Sequence, residues 1–454
     1  MAPTAPWDLT IDQRSVSVQV SQNEVIHEPA LFPDDRRSAF RFPRFVRRDR
    51  SIDFAEGFAF AAQFTIERSL SMSEELVDTY HPGLEGVIAN ETAIASVEGK
   101  HGDGGLEYRG YRIEELGASV SFEEVAYLLL HGELPTQPQL DTFLNRLKSQ
   151  RAIPDALTIT LASIPATVHP MDALRTSVSV LSHFDPDVNA SPTDHDANVR
   201  KAERMLAQMP TAIAYRERLS HGQAVIAPRN DLDHSANFLH MTTGKVPSDI
   251  MRKAFNVSLV LYAEHELNAS TFSARVTVST LSDIYSGVVA AIGTLKGPLH
   301  GGANEEAWKV LESVGSPERA ESWIQDALAR KERIMGFGHR VYKTGDPRAR
   351  FLKDYCRMLA AEIGDDRWER MAEPIEKAVT EQKHLPPNVD WPSARLYHYM
   401  GLRIEVYTPI FAMARVTGWA AHIIEQLDHN RLMRPRARYI GPPSRNVLPI
   451  NERK

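Results

Sequence analysis

Residues 122–135 read FEEVAYLLLHGELP, and this stretch decides the fold that the sequence predicts. Its apolar side chains recur at a spacing near 3.6 residues, which is typical of one buried face of an α-helix. Glu123 and Glu124 stand in the first turn, and Gly-Glu-Leu-Pro is a stop signal at the other end. Similar patterns follow at 137–150, 170–183, 195–218, 248–266, 279–293 and 303–314. The chain is therefore predicted to adopt an almost entirely helical, all-α fold.

One short region departs from the helical pattern. Between residues 87 and 113 the chain is rich in Val, Ile and Thr, in the runs GVIANETAIASV and LEYRGYRI, with Gly-Asp-Gly-Gly between them. This arrangement predicts a small β-hairpin. Residues 185–196, DPDVNASPTDHD, are read as a polar loop rather than a linker between independent domains.

The first 71 residues differ in character from the remainder. Residues 34–50, DDRRSAFRFPRFVRRDR, contain seven arginines with little periodicity. Organellar transit peptides are rich in arginine but poor in acids, and the aspartates interspersed here count against that interpretation. We interpret residues 1–71 as a poorly ordered N-terminal extension and place the start of the fold near Met72.

Composition restricts the class of protein. The chain has 454 residues, of which 43% are hydrophobic and 24% charged, as is ordinary for a globular enzyme with a sizeable core. A formal net charge of -7 argues against a nucleic-acid partner, and no apolar run approaches the length of a membrane span. The single cysteine, Cys356, excludes an internal disulfide framework and a multi-cysteine metal site. A reducing, cytoplasmic compartment is expected.

Three histidines are candidates: His300 and His339, which stand beside glycine, and His265 in YAEHELNAST. A lone histidine is usually a structural or surface residue, but flanking glycines let backbone approach a ligand closely. His300 lies on a Gly-rich turn just before a predicted helix, whose positive end favours the neutral imidazole. His339 follows Gly-Phe-Gly, an irregular loop that matches neither a phosphate-binding loop nor a dinucleotide fingerprint.

One carboxylate and one arginine are further candidates, each with an ordinary alternative. Asp390 lies in LPPNVDWPSARLY, where apolar neighbours would raise its pKa and make it a usable base. The alternative is that it caps a helix beginning near Ser393. Arg348 follows Gly-Asp-Pro and offers a bidentate fork to a carboxylate. Its alternative is a salt bridge to Asp346.

Two arginines near the C-terminus complete the candidates. Arg415 belongs to a largely apolar helical segment, and a buried arginine needs an anionic partner such as a ligand carboxylate. Arg434 is ambiguous, because it could equally lie on a solvated face.

A competing interpretation is a metal site. His422, Glu425 and His429 fall at i, i+3 and i+7, on roughly one helical face. The His-Glu-x-x-His pattern of a zinc hydrolase is lacking. We therefore favour a packing and hydrogen-bonding face and expect no metal ligands.

Six segments together resemble the citrate synthase family, in order and from about residue 72 to 454. They are HELNAST, GPLHGGANE, GFGHRVYKTGDPR, PPNVDWPSA, ARVTGWAAHIIEQ and RLMRPRA. The resemblance implies a two-domain helical fold with the active site in the cleft. Its large domain would comprise 72–300 and 396–454, and its small domain 301–395. Trp391-Pro392 departs from the Phe-Tyr pair expected after the aspartate.

The resemblance also implies a role for each candidate side chain. His300 would bond the thioester oxygen, Asp390 would remove the methyl proton, and His339 would bond the oxaloacetate carbonyl. Oxaloacetate would be bound by His265, Arg348, Arg415 and, from the neighbouring subunit of a homodimer, Arg434. The CoA phosphates would meet Arg340 and Lys343.

The implied activity is the condensation of acetyl-CoA with oxaloacetate, without a metal or redox cofactor. The nearest alternative is 2-methylcitrate synthase, which uses propionyl-CoA, because one methylene is worth only about 1–3 kcal/mol in an apolar pocket. The segment HRVYK, residues 339–343, looks more like the citrate enzymes. An alternative of another class is a non-catalytic CoA-binding protein, which the presence of His300, His339 and Asp390 disfavours.

Overall fold

A computed structural model describes residues 80–98, 105–339, 341–342 and 345–453. Contacts divide the chain into two units, Met1–Tyr80 and His81–Lys454, and the second contains nearly all of the described residues. The predicted N-terminal extension, and the predicted CoA contacts Arg340 and Lys343, lie outside the described residues.

The described part of the chain is mostly α-helical, as predicted. Its helices are α1 (Ile113–Ser119), α2 (Phe122–His131), α3 (Gln137–Ser149), α4 (Asp155–Ser163), α5 (Pro170–Ser182), α6 (His195–Ser220), α7 (His234–Thr243), α8 (Asp249–Tyr262), α9 (Ala269–Val278), α10 (Ile284–Leu295), α11 (Ala303–Val314), α12 (Ala320–Ala329), α13 (Pro347–Ile363), α14 (Arg367–Lys383), α15 (Asp390–Tyr399) and α16 (Tyr407–Asp428). Short 3-10 turns lie at Pro82–Leu84, Pro317–Arg319, Ile404–Val406 and Ile450–Glu452. Within the described ranges, no helix has the length and apolar character that a membrane crossing requires.

The predicted hairpin is present within a small three-stranded antiparallel sheet. Strands β1 (Ala95–Ser96), β2 (Glu107–Tyr108) and β3 (Tyr111–Arg112) are ordered β1-β2-β3. The turn between β2 and β3 is Arg109-Gly110, and both residues have positive φ, 50° and 86°. This two-residue turn has the backbone twist that tight hairpins favour, so the third strand comes from within the second predicted run.

Helix α2 illustrates how local sequence sets the element boundaries. The Ser121 hydroxyl accepts from the Glu124 N–H at 3.2 Å, and the Ser121 N–H donates to Glu124 Oε2 at 2.7 Å, which is a capping box. The helix ends at Gly132, whose φ of 94° is the left-handed conformation that glycine adopts without strain. The predicted start and stop signals are therefore confirmed.

Helix α8 ends four residues before the predicted boundary at 266. Side chains from elsewhere bond the carbonyls of its last turn: Tyr108 Oη donates to Val260 O at 3.2 Å, and Arg415 Nε donates to Tyr262 O at 2.7 Å. In a longer helix these carbonyls would accept from backbone N–H groups four residues further on. Here they accept from side chains, and His265 lies outside the helix. The pattern 279–293 is also shifted, because Asp283 caps α10 by accepting from the Ser286 N–H at 3.0 Å.

Helix α16 lies at the centre of the packing. Nearly every residue from Tyr407 to Leu427 is buried, and the helix packs against α6, α9 and α10. A helix that is apolar all round belongs in a core, so the few polar side chains on α16 are buried with it. Arg415 is one of these buried polar residues, 1% exposed.

Candidate active site

The structure brings six of the predicted side chains together, here called the six-residue cluster. They are Asp390 at the start of α15, His300 in the turn before α11, His339 in the loop before α13, His265 after α8, Arg348 in the first turn of α13 and Arg415 in α16. Phe411 connects part of the cluster, with its ring centroid 4.5 Å from that of Tyr262 and 6.1 Å from that of His300. The Arg415 guanidinium carbon lies 4.7 Å from the same ring centroid.

The other members are connected around Tyr342 and Asp346. The rings of His265 and His339 have centroids 5.2 Å apart, and Tyr342 stacks on His339 at 4.6 Å. Arg348 donates to both carboxylate oxygens of Asp346, at 2.9 and 2.8 Å. Asp346 also accepts from the backbone N–H of residue 389, immediately before Asp390, at 3.0 Å. This bond connects the start of α13 to the start of α15.

Asp390 has the surroundings of a general base. Burial raises the pKa of its carboxyl to about 6, while the hydrogen bond from Tyr262 and the charge of Arg348 oppose that rise. Tyr262 Oη donates to Oδ1 at 2.9 Å, and the Asp390 N–H donates to Asn388 Oδ1 at 3.0 Å. Helix α15 begins at Asp390 itself, so the alternative of a cap for a helix starting near Ser393 is wrong. The predicted rise in pKa agrees with the structure.

His300 is neutral at neutral pH. Burial, followed by the positive charge of Arg415, lowers its pKa to about 4. The sequence predicts a neutral His300 from the positive end of α11, whereas burial is the larger cause of the lowered pKa in the structure. A neutral imidazole can donate one hydrogen bond, which suits an oxygen that becomes negative during a reaction.

Ser270 is the hydrogen-bond partner of one nitrogen of His300. Its Oγ lies 2.8 Å from His300 Nε2 and 2.7 Å from Asn268 Oδ1, and it accepts from Trp419 Nε1 at 3.0 Å. The serine has a single hydroxyl hydrogen, so it can donate to only one of these two acceptors. When it donates to Nε2, the imidazole hydrogen is on Nδ1 and is available to a ligand.

His339 has its hydrogen on the opposite nitrogen. The backbone N–H groups of Val341 and Tyr342 donate to Nδ1 at 3.1 and 3.2 Å. An acceptor at Nδ1 in a neutral ring places the hydrogen on Nε2. The His339 ring is thereby fixed as a donor through Nε2.

Two glycines hold the His339 loop against the segment that carries Asp390. The Gly338 N–H donates to Pro386 O at 2.8 Å, and the Asn388 N–H donates to Gly336 O at 2.9 Å. Gly336 and Gly338 have φ of 90° and 72°, and a Cβ on Gly336 would lie 2.9 Å from Trp391 Cε3. Only glycine meets both constraints, so the two glycines fix the spacing between His339 and Asp390.

His265 and Arg348 present groups that can bind an anion. His265 is buried, and its Nε2 has no hydrogen-bond partner among the described residues. Burial and the charges of Arg348 and Arg415 hold its pKa well below the usual value. Arg348 uses Nε and Nη2 for Asp346, so the salt bridge given above as the alternative is present, while Nη1 remains for a ligand.

Arg415 lacks an ion-pair partner in the described part of the chain. Its Nε donates to the Tyr262 carbonyl, and no carboxylate lies within salt-bridge distance of its guanidinium. Burial lowers its pKa, and the nearby charge of Glu264 opposes that effect. A buried cation in this situation favours binding of an anionic ligand.

The remaining predicted residues lie elsewhere. Arg434 is exposed in the segment without helix or strand that follows α16. On the face that carries His422 and Glu425, considered above as a competing metal site, Arg275 Nη1 donates to His422 Nδ1 at 2.8 Å and to Glu425 Oε2 at 2.7 Å. The face is therefore a hydrogen-bonded ion cluster, and the described residues contain no group of three or more His, Cys, Asp or Glu placed to hold a metal ion.

Sequence reasoning missed four residues of the site: Tyr262, Ser270, Tyr342 and Phe411. Ser270 lies within HELNAST, and Tyr342 lies within HRVYK, so both stood inside quoted motifs. Tyr262 and Phe411 lie on apolar helix faces and carry no local signal. Their contacts join residues more than 100 positions apart, which only the fold reveals.

The helical fold and this set of side chains are those of an acyltransferase-type condensing enzyme. The model of the family described as Citrate synthase, C-terminal domain, matches residues 83–436. Citrate synthase 2 of Bacillus subtilis is 48% identical over 372 residues, which are 82% of this chain and 98% of that protein. The chain therefore belongs to the citrate synthase family.

Other relatives support the same family and include its second activity. The 2-methylcitrate synthase of Shewanella oneidensis is 46% identical over 372 residues, which cover 82% of this chain and 97% of that protein. The crystal structure of citrate synthase from Pyrobaculum aerophilum has a TM-score of 0.75 at 42% identity and covers 82% of this chain and 95% of its own. The Thermoplasma acidophilum enzyme, solved as a ternary complex with carboxymethyl coenzyme A and oxaloacetate, has a TM-score of 0.77 at 34% identity, covering 83% and 100%. The predicted fold class is confirmed.

Proposed function

We propose that this enzyme condenses the methyl carbon of acetyl-CoA with the ketone of oxaloacetate and then hydrolyses the citryl thioester to citrate and CoA. The observation that carries the proposal is the Asp390 carboxyl, whose pKa is raised to about 6 by burial. A base in this range is ionised at neutral pH and still accepts a proton readily. It lies in the same cluster as the neutral His300 imidazole.

The first step is removal of a methyl proton of acetyl-CoA. Asp390 takes the proton, and the electron pair left on carbon delocalises onto the thioester oxygen. His300 donates a hydrogen bond from Nδ1 to that oxygen, since Ser270 can donate to Nε2 at 2.8 Å. A donor placed where charge develops lowers the barrier most in a site shielded from water.

The second step forms the carbon–carbon bond. The enolate carbon attacks the ketone carbon of oxaloacetate, and His339 donates a hydrogen bond from Nε2 to the ketone oxygen as that oxygen becomes negative. The two carboxylates of oxaloacetate bind Arg348, Arg415 and His265. Arg415 is a buried cation without an ion-pair partner among the described residues, and Arg348 keeps Nη1 outside its pair with Asp346, which suits a dianionic substrate.

The last step is hydrolysis. Water adds to the carbonyl carbon of the citryl thioester, the C–S bond breaks, and CoA leaves as the thiol with citrate as the other product. Every step uses only side-chain acid–base groups and hydrogen bonds, so we propose that the reaction needs no metal and no redox cofactor. Arg340 and Lys343 are proposed to contact the CoA phosphates.

The domain organisation and assembly are also proposed. Residues 72–300 and 396–454 form the large domain, and 301–395 form the small domain. In support, α15, which begins within the proposed small domain, packs against α11 and α13 of that domain. Closure of the small domain would exclude water from the cluster. Residues 1–71 precede both domains in the sequence.

We propose a homodimer in which Arg434 binds oxaloacetate in the neighbouring subunit. The support is its position: it is exposed, and it lies in an extended segment that follows a buried helix. We further propose a cytoplasmic enzyme of the tricarboxylic acid cycle. Cys356, the single cysteine of the sequence, is buried and free, which fits a reducing compartment.

The second candidate function is 2-methylcitrate synthase. Relatives with that name are nearly as similar as those named citrate synthase, 46% against 48% identical. An extra methyl group on the acyl chain requires only a slightly larger apolar pocket. The two functions share all of the steps above and differ in the preferred thioester.

A thiol-reagent assay of CoA release tests the proposal. Acetyl-CoA or propionyl-CoA is supplied with oxaloacetate to wild type, to Asp390→Ala and to Asp354→Ala, an exposed carboxylate on α13 that serves as the control. We expect oxaloacetate-dependent release that prefers acetyl-CoA, is lost in Asp390→Ala and is retained in Asp354→Ala. A preference for propionyl-CoA would favour the second candidate, and no release with either thioester would overturn both.

A further inference from the structure

Tyr342 lies among the groups that are proposed to bind oxaloacetate. Its ring stacks on His339 at a centroid distance of 4.6 Å and an angle of 27°. The edge contact with His265 has a centroid distance of 5.5 Å and an angle of 88°. The guanidinium carbon of Arg348 lies 5.7 Å from its ring centroid. One side chain therefore contacts three of the six members of the cluster.

The hydroxyl of Tyr342 is buried and unused. The residue is 3% exposed, and Oη has no hydrogen-bond partner in the described structure. A buried hydroxyl without a partner is costly, so such a group in a binding site marks a contact that the ligand completes. Burial raises the pKa of the phenol to about 12, against the opposing charge of Arg348, so the hydroxyl is protonated at neutral pH and can donate.

We propose that Tyr342 is a further oxaloacetate-binding residue, whose Oη donates a hydrogen bond to a carboxylate or ketone oxygen of the substrate. The inference rests on the proposed function and deepens it. The same residue positions His339, because its backbone N–H donates to His339 Nδ1 at 3.2 Å and its ring covers the imidazole. Tyr342 thereby contributes to binding through its hydroxyl and to orientation through its ring.

Glu114 is the competing partner for the hydroxyl. Its Oε2 is also buried without a hydrogen bond, and its charge acts on Tyr342. The geometry favours the substrate, because the ring contacts three binding groups and Glu114 already lies 3.6 Å from Arg112 Nε. A Tyr342–Glu114 bond would not depend on oxaloacetate, and this difference makes the two alternatives separable.

Tyr342→Phe tests the hydroxyl, because it removes only the oxygen. Tyr399→Phe is the matched control, since Tyr399 Oη is also buried and unpartnered but lies at the other end of the helix that begins at Asp390. Oxaloacetate binding is measured by calorimetry without CoA, and both KM values are measured by CoA release. We expect Tyr342→Phe to raise the Kd for oxaloacetate about three- to tenfold, with the KM for acetyl-CoA unchanged and Tyr399→Phe like wild type.

An unchanged Kd for oxaloacetate in Tyr342→Phe would overturn the proposed contact. Glu114→Gln tests the competing partner: a loss of thermal stability together with an equal loss of affinity for oxaloacetate in that variant would also overturn the proposed contact. If wild type itself fails to bind oxaloacetate, the proposed function fails. That result differs from the failure of the Tyr342 contact, in which wild type and Tyr342→Phe bind oxaloacetate with the same Kd.

Tyr342→Leu tests the ring. We expect it to lower kcat as well as affinity and to reduce the shift of the infrared carbonyl band of bound oxaloacetate, whereas Tyr342→Phe keeps that shift. A full carbonyl shift in Tyr342→Leu would contradict the positioning role.

Discussion

Tyr262 Oη donates a 2.9 Å hydrogen bond to Asp390 Oδ1, and this bond joins the last residue of α8 to the first residue of α15. The same hydroxyl lies 2.8 Å from Ser393 Oγ, one turn further along α15. A hydrogen bond to the ionised carboxylate favours the charged form, whereas burial favours the neutral form. The pKa of Asp390 is therefore raised by burial and lowered by the hydrogen bond from Tyr262.

Removal of that hydroxyl should shift the pH dependence of catalysis. In Tyr262→Phe the carboxylate loses a donor, so the pKa of Asp390 rises further above its value of about 6. Because the base must be ionised, the acid limb of kcat/KM should move to higher pH, and activity near pH 6 should fall more than activity near pH 8. A pH–rate profile measures this, with Tyr399→Phe as the control. An acid limb at the wild-type position would contradict the role of Tyr262.

Asp390 should also reduce the stability of the folded protein at neutral pH. Its pKa rises from 3.8 in the unfolded chain to about 6 when folded, so the free energy of unfolding falls as pH increases through this interval. At 1.36 kcal/mol per pKa unit the loss is at most about 3 kcal/mol. Asp390→Asn should therefore be inactive but more stable than wild type at pH 8, and equally stable near pH 3.5. Denaturant unfolding at both pH values tests this, and lower stability of the variant at pH 8 would contradict the account.

Ser270 should affect the acetyl-CoA side of the reaction. In Ser270→Ala, His300 Nε2 loses its partner at 2.8 Å, and with it the donor that would favour the proposed Nδ1–H form of the ring. We expect kcat to fall roughly tenfold or more, because a donor to the developing oxyanion is misplaced. The Kd for oxaloacetate should be unchanged. Ser177→Ala, a buried serine of α5 that bonds its own helix, is the control and should match wild type. A lower affinity for oxaloacetate with normal kcat would place Ser270 in another role.

Gly338 should be sensitive for two separable reasons. Its φ of 72° disfavours any side chain, and a Cβ would lie 3.1 Å from Leu385 Cδ2. Gly364 has a similar φ of 75° but open space around its Cβ position. Alanine at either site should cost about 1 kcal/mol of stability through backbone strain, but only Gly338→Ala should lower activity, because it displaces His339. Equal activity in the two variants would show that the His339 loop tolerates the displacement.

Local sequence predicted the cluster where glycine and proline punctuate the chain. The glycines beside His300 and His339 suit backbone close to a ligand, whereas His265 lies in HELNAST without a neighbouring glycine; the structure places all three together. The sequence also predicts that His300 is neutral, but it attributes this to the positive end of the following helix. In the structure the larger causes of the lowered pKa are burial and the charge of Arg415. A helix dipole can be inferred from a sequence, whereas burial depends on what packs above the turn.

Interactions between distant segments could not be predicted. The α8 pattern continues to 266, yet the helix ends at Tyr262 because Arg415, 153 residues away, bonds its carbonyl. Ser270 and Trp419 meet across 149 residues to position His300. Such partners lie on apolar helix faces where a tyrosine, a serine or a tryptophan resembles any other core residue.

The central claim is that Asp390 removes the methyl proton of acetyl-CoA while His339 acts on the other substrate. The most direct measurement is deuterium incorporation into the methyl group of acetyl-CoA in D₂O, followed by NMR, with malate in place of oxaloacetate so that no condensation follows. We expect exchange with wild type, none with folded Asp390→Asn, and exchange retained in His339→Gln. Exchange at the wild-type rate in Asp390→Asn would contradict it.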